Sequence, residues 1–189
     1  MTLPSRDPAR LIFFDRLTQL YNWWFMAQYL RERFAWLSAQ NIPLSVIMLN
    51  LDDFRTVNET HGRLAGDVVL RQVAQLLVEG RRKGGYAIRY AGDEFFVFLE
   101  GVDGARAMAR AEEIRQRVSS EPIALPHAQS GILIRASLGV ATFPEDAQTA
   151  SGLIEKVRHA LARSKREGKN RTSRDVGLKL PTEKEALEQ

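Results

Sequence analysis

The chain has 189 residues, 44% of them hydrophobic, enough for one domain with a real core and short tails. It carries a formal net charge of +4 and no cysteine, which excludes disulfides, thiolate metal sites and cysteine nucleophiles, so any metal has to be held by oxygen or histidine. No apolar run is long enough to span a bilayer, and the start, MTLPSRDPARL, lacks the continuous apolar core of a signal peptide; the expectation is a cytoplasmic segment.

Residues 1–14, with mixed charge and prolines, read as a lead-in or a linker from an upstream domain. Asn22 then caps a predicted helix to about Gln40, with Phe25, Tyr29, Leu30, Phe34 and Leu37 as its apolar stripe. Trp23, Trp24 and Trp36 ride on that helix and read as packing, or as an interface if exposed. Leu44 to Leu51, LSVIMLNL, is apolar almost throughout, as a strand buried on both faces should be. A short helix from Asp53 to about Thr60 ends at Gly62. A longer one follows from Leu64 to about Glu79, where Leu64, Val68, Leu70, Val73, Leu76 and Leu77 keep helical spacing.

Arg81 to Gly85 is a polar connector, and Tyr86 to Glu100 reads as a hairpin whose tip is AGDE. Gly92 supplies positive φ there, and Asp93 can bond its own backbone. Acids on a hairpin tip are usually solvated surface, so Asp93 and Glu94 need company before they mean chemistry. Asp103 to about Ser119 is a further helix, Pro122 to Leu125 a weak strand, Ile132 to Phe143 a strong strand, and Ala150 to Gly168 a last helix with a glycine stop. Residues 173–189 read as a polar tail.

Elements in this order pack as one mixed sheet of about five strands with helices on its faces, an α/β (α+β) sandwich. The central strand leads through helices into the hairpin, which brings Asn50, Asp52 and Asp53 near Asp93 and Glu94. An oxygen-rich strand end of that kind suits Mg²⁺ bound together with substrate phosphates. The cations Arg163, Lys165, Arg166, Lys169, Arg171 and Arg174 either complement the last helix's dipole or answer a polyphosphate.

Five stretches in register resemble the GGDEF domain of diguanylate cyclases, which joins two GTP molecules into cyclic di-GMP. They are DRLTQLYN at Asp15 to Asn22, NLDDFRTVNETHGRLAGD at Asn50 to Asp67, RYAGDEF at Arg89 to Phe95, SLGVATFPED at Ser137 to Asp146 and SKREGKNR at Ser164 to Arg171. The resemblance covers residues 15–172 and implies the fold shared by nucleotidyl cyclases and polymerase palms, with the signature on a hairpin turn. It implies that Asn58 and Asp67 read guanine. Arg55, Lys165, Lys169, Gly92 and the backbone of Phe54 would hold the phosphates. Mg²⁺, or Mn²⁺, would be held by Asp93, the Leu51 carbonyl and position 50, as one ion or two, with Glu94 as a further ligand, a supporting acid or a base. An active pair would be a homodimer that takes its signal from an upstream sensor domain. Nucleic acid is not an expected partner, because the triphosphate matches the cations better, and no membrane is expected in this segment.

The sequence departs from the family pattern at three places. Asn50 replaces an acid, and a unit charge pair at about 4 Å is worth roughly 4 kcal/mol at an effective dielectric near 20, so metal binding should weaken. Ala91 replaces the first signature glycine and is strained only if its φ is positive. Arg82 lacks the acid three residues on, where Gly85 stands, so the family's inhibitory site is not intact. The expectation is a domain of cyclic di-GMP signalling that binds GTP, with cyclase activity weakened or lost through Asn50 and Ala91. The alternatives are an active cyclase that uses Asp52, Asp93 and Glu94 for Mg²⁺, and a catalytically silent regulatory interaction module.

Overall fold

The computed structural model describes residues 12–79, 85–120, 122–125 and 131–175. Helix α1 spans Trp23–Ala39, and Asn22 caps it by accepting from the backbone N–H groups of Trp24 and Phe25 at 3.0 and 3.3 Å. Strand β1 spans Leu44–Asp52, helix α2 Phe54–His61, helix α3 Arg63–Glu79, and strands β2 (Gly85–Ala91) and β3 (Glu94–Glu100) form the hairpin. Helix α4 (Gly104–Ser120), strand β4 (Arg135–Phe143), helix α5 (Ala150–Arg166) and strand β5 (Thr172–Arg174) complete the order.

The sheet runs β2-β3-β1-β4-β5, antiparallel except for the parallel β4–β5 pair. Every residue of the central strand β1 is buried, as its apolar run predicts. Successive side chains go to opposite faces. Ile47, Leu49 and Leu51 enter a core with α3 and α4 residues such as Val69, Val73, Ala107 and Ile114. Leu44, Val46 and Met48 enter a second core with Met26 and Leu37 of α1 and Leu153, Val157 and Leu161 of α5. Full burial of each such aliphatic chain stabilises by about 1.5–3 kcal/mol, and the two layers together fix the sheet between two pairs of helices.

That alternation places Asn50 and Asp52 on the α5 side of the strand. Helix α5 lies close to the sheet because Gly139 of β4 has no side chain. A Cβ there would stand 2.4 Å from both the Leu161 nitrogen and the Val157 carbonyl oxygen.

Three sequence expectations need correction. Pro122 to Leu125 contributes only the isolated bridge Ile123–Ile132 and no strand of the sheet. The strong strand starts at Arg135 rather than Ile132, with Leu133 exposed. The fifth strand is instead β5, where the sequence reading has only a tail. The tryptophans are not core: Trp23, Trp24 and Trp36 are each about half exposed, at 46, 54 and 48%.

Candidate functional site

The β1–β3 register sets Asn50 directly across from Glu94, and the Leu51 N–H donates to the Asp93 carbonyl at 3.3 Å. The strand end and the signature turn thus meet as the sequence order requires. Gly92 has φ +51°, the left-handed conformation its lack of a Cβ permits. Among the described residues, the non-glycine positions with positive φ are Gln19, Asn41, Asp53, Lys169 and Asn170. Ala91 is not one of them, so the alanine carries no backbone strain, and that reason for lost activity falls away.

Arg89 locks the turn. Its Nε and Nη2 donate to the Gly92 carbonyl at 3.0 and 2.9 Å, and its Nη1 donates to Asp15 Oδ1 at 3.0 Å. Burial pushes the Asp15 carboxyl up, but hydrogen bonds from Thr18 and Arg89 outweigh it and hold the group below the usual carboxylate range. Sequence reasoning gave neither Asp15 nor Arg89 a role, although both stand inside the motifs that carry the resemblance.

The cations reach the strand end from α5 and the loop after it. Lys165 Nζ donates to Asn50 Oδ1. Lys169 Nζ donates to Asp53 Oδ1 at 2.6 Å, and that bond raises the lysine's pKa. Asp53 itself has φ +56° and makes no capping bond to α2, which leaves its carboxylate for the lysine. Lys169 and Asn170 also have positive φ, at 61° and 45°. Two contacts pin this strained pair: the Asn170 N–H donates to Asp52 Oδ2 at 2.9 Å, and Arg115 Nη1 donates to Asn170 Oδ1 at 2.8 Å. Arg115 is in turn held by Glu112, whose carboxyl its hydrogen bonds depress to about 2.

Both oxygens of buried Asp52 are engaged, one by the Ser137 hydroxyl at 2.8 Å and the other by Asn170. Period-two spacing does place Asp52 on the face of Asn50, yet its carboxylate ties β1 to β4 and to the Lys169 loop. Among the described residues no group of three or more acids, histidines or cysteines is disposed to hold a metal. Asp93 and Glu94 are half-buried with no ion-pair partner there, but the third donor is a neutral amide whose oxygen already accepts from an ammonium. Two carboxylates and the Leu51 carbonyl are still donors that Mg²⁺ can use together with substrate phosphates, but without an acid at position 50, and with its amide oxygen facing an ammonium, they hold a divalent cation less tightly.

The residues expected to read guanine come together. Phe54, Arg55, Asn58 and Glu59 of α2 face Arg63, Asp67 and Leu70 of α3 across a cavity of about 450 Å³. Asn58 Nδ2 donates to the Phe54 carbonyl at 3.4 Å, and its Oδ1 rests against Gly66, where a Cβ would stand only 2.0 Å away. Arg55 is paired with Glu59 at 2.6 Å. Arg82 lies outside the described residues, and Gly85 opens β2 as a buried backbone position.

The comparisons bear on the family and the fold. Residues 12–171 match the family described as "Diguanylate cyclase, GGDEF domain". The chain is similar to Diguanylate cyclase A of Treponema denticola, 36% identical over 130 residues, 69% of this chain and 34% of that protein. It is 32% identical over 157 residues to Diguanylate cyclase DosC of Escherichia coli, covering 83% of this chain and 34% of that protein. Among solved structures, the GGDEF domain of DgcB from Caulobacter crescentus in complex with c-di-GMP matches with TM-score 0.81 and 27% identity over 92% of this chain and 96% of that one. The chain belongs to the GGDEF-domain family of diguanylate cyclases, and it spans about a third of the length of the curated relatives it matches. Among the described residues no helix is long and apolar enough to cross a membrane.

Proposed function

We propose that the chain is a guanine-nucleotide-binding domain of cyclic di-GMP signalling whose diguanylate cyclase activity is weak or lost. The observation that carries this reading is the contrast between two parts of one site. The cavity with Asn58 and Asp67 on its walls keeps the groups that a guanine requires, because the Asp67 carboxylate can accept from both the N1–H and the exocyclic amine, donors that adenine does not present together. The strand end lacks one acid at Asn50, and the oxygen there is taken by Lys165.

Within this reading the chain's own groups bind and orient. Asp67 and Asn58 hold the base, each charge-assisted bond contributing about 1.5–3 kcal/mol. Arg55, Lys165, Lys169 and the Gly92 turn face the phosphates. Asp93 and Glu94 remain the carboxylates available to accept a proton from a ribose hydroxyl. In relatives that turn over, Mg²⁺ or Mn²⁺ would supply neutralisation of the reacting phosphate. A homodimer is required only for turnover, and the input comes from a sensor domain outside this chain.

The test is incubation of the concentrated chain with GTP and Mg²⁺, in parallel with Mn²⁺, and chromatography for cyclic di-GMP, with Asn50→Asp alongside. Silence from the wild type with product from Asn50→Asp is the expected result. Product from the wild type at the rate of Asn50→Asp overturns the reading of a weakened site. If millimolar GTP leaves the melting temperature unmoved, the domain is an interaction module instead.

A further inference from the structure

The three phosphate-facing cations are not equally committed. Arg55 is paired with the Glu59 carboxylate and Lys169 with the Asp53 carboxylate, each at 2.6 Å. Lys165 has only the amide oxygen of Asn50, and among the described residues no acid pairs with it. The side chain is half-buried, on a helix seated directly against Gly139 of the sheet. A partly desolvated ammonium with a neutral acceptor is an electrostatic demand that an incoming anion satisfies. An acid at position 50 would do two things at once, attract a divalent cation and cancel the charge of Lys165. Asn50 does neither, and Asp52 cannot substitute because both its oxygens are occupied; Asp93 and Glu94 remain as carboxylates, but neither is paired with Lys165.

We propose that this site binds its guanine nucleoside triphosphate without a divalent cation, the uncompensated Lys165 ammonium standing where the metal's charge would be needed. The inference rests on the GTP-binding reading above. Metal-free triphosphate carries more negative charge than its magnesium complex, so its attraction to Lys165, Lys169 and Arg55 is the stronger one. Asn50 is thereby a specificity residue: it selects the free nucleotide over the metal complex.

The experiment is calorimetric titration of the chain with GTP, once in EDTA and once in excess Mg²⁺, on the wild type, Lys165→Met and Asn50→Asp. The wild type is expected to bind GTP in EDTA at least as tightly as in Mg²⁺. Lys165→Met, which keeps the aliphatic stem, should weaken binding in EDTA by about ten- to a hundredfold, the scale of a charge-assisted hydrogen bond. Asn50→Asp should lose a similar factor in EDTA and regain it in Mg²⁺. Wild-type binding seen only with Mg²⁺ overturns the inference and leaves the GTP reading standing. Equal affinity of the wild type and Lys165→Met in EDTA also overturns it. Absence of binding in both buffers overturns the GTP reading and the inference together. The wild-type comparison needs no variant, so it decides the matter even if a substituted chain fails to fold.

Discussion

Arg89 and Asp15, 74 residues apart, meet at 3.0 Å with side chains only 14 and 24% exposed, and the same guanidinium holds the Gly92 carbonyl. One side chain therefore fixes the signature turn to the entry segment of the domain. Arg89→Ala removes three bonds, leaves the Gly92 carbonyl without these donors and leaves the part-buried Asp15 carboxylate to Thr18 alone. It should cost about 2–3 kcal/mol. The melting temperature should fall by roughly 4–10 °C for a chain of this size, measured by thermal unfolding. Arg89→Lys should recover only part of the loss, because a point charge cannot serve Asp15 and Gly92 together as the planar fork does.

Acid should loosen the loop that carries Lys169. The ordinary Glu112 carboxyl titrates near 4.5, and hydrogen bonds from Arg115 are the main cause that holds it at about 2, against an opposing effect of burial. A depressed folded-state value means that the stabilisation is present above about pH 4.5 and is lost as the pH falls toward about 2. The carboxylate is 40% exposed, so solvent screening holds the contribution below about 1 kcal/mol. Glu112→Gln should flatten the acid limb of stability against pH, read by urea unfolding at about pH 5 and about pH 3. The difference from the wild type should shrink in high salt.

Gly66→Ala separates recognition from folding. The new methyl group would sit 2.0 Å from Asn58 Oδ1 and 3.1 Å from Phe54 Cζ, and the amide, as the end of a flexible side chain, must yield. Alanine also favours the α3 helix over glycine by up to about 1 kcal/mol. The expected outcome is a melting temperature within a few degrees of the wild type, with GTP affinity reduced about tenfold, the equivalent of one displaced hydrogen bond. Equal losses in both would show that Asn58 serves packing rather than the base.

Gly139→Ala meets backbone instead of a side-chain tip, and neither the Leu161 nitrogen nor the Val157 oxygen can rotate away. Helix and strand must separate, with an overpacking cost of about 1–3 kcal/mol. Lys165 is carried off with the helix, so GTP binding should fall along with the midpoint of denaturant unfolding.

Much of this was legible in the chain. The apolar run of β1 announced a doubly buried strand, and the strand-like stretches on either side of AGDE, with the turn chemistry of Gly92 and Asp93 between them, announced the hairpin. Strand β5 was not legible, because three residues, Thr-Ser-Arg, hold no periodicity; only their parallel pairing with Leu138 to Val140 defines them. Alternation along β1 put Asn50 and Asp52 on one face but was silent on which cation faced them. The Lys165–Asn50 contact joins positions 115 residues apart, a separation that local pattern does not encode. The φ of Ala91 is likewise a property of the turn rather than of its letters. Asp52 shows the limit most clearly, since the sequence offered it as a spare ligand while Ser137 and Asn170 had already claimed it.

The seat of α5 on Gly139 has a further consequence for the thermodynamics of ligand capture. The backbone under Lys165 is immobilised during folding, so a ligand that meets it need restrain only the side chain. Lys169 lies beyond the helix on consecutive left-handed residues, its N–H donating to the Ser164 carbonyl at 3.0 Å and its neighbour Asn170 secured by Asp52 and Arg115. The entropy lost on binding is thus divided unevenly between neighbouring ammonium groups. The first is pre-organised, and most of the remaining ordering falls on the short span from Gly168 to Arg171.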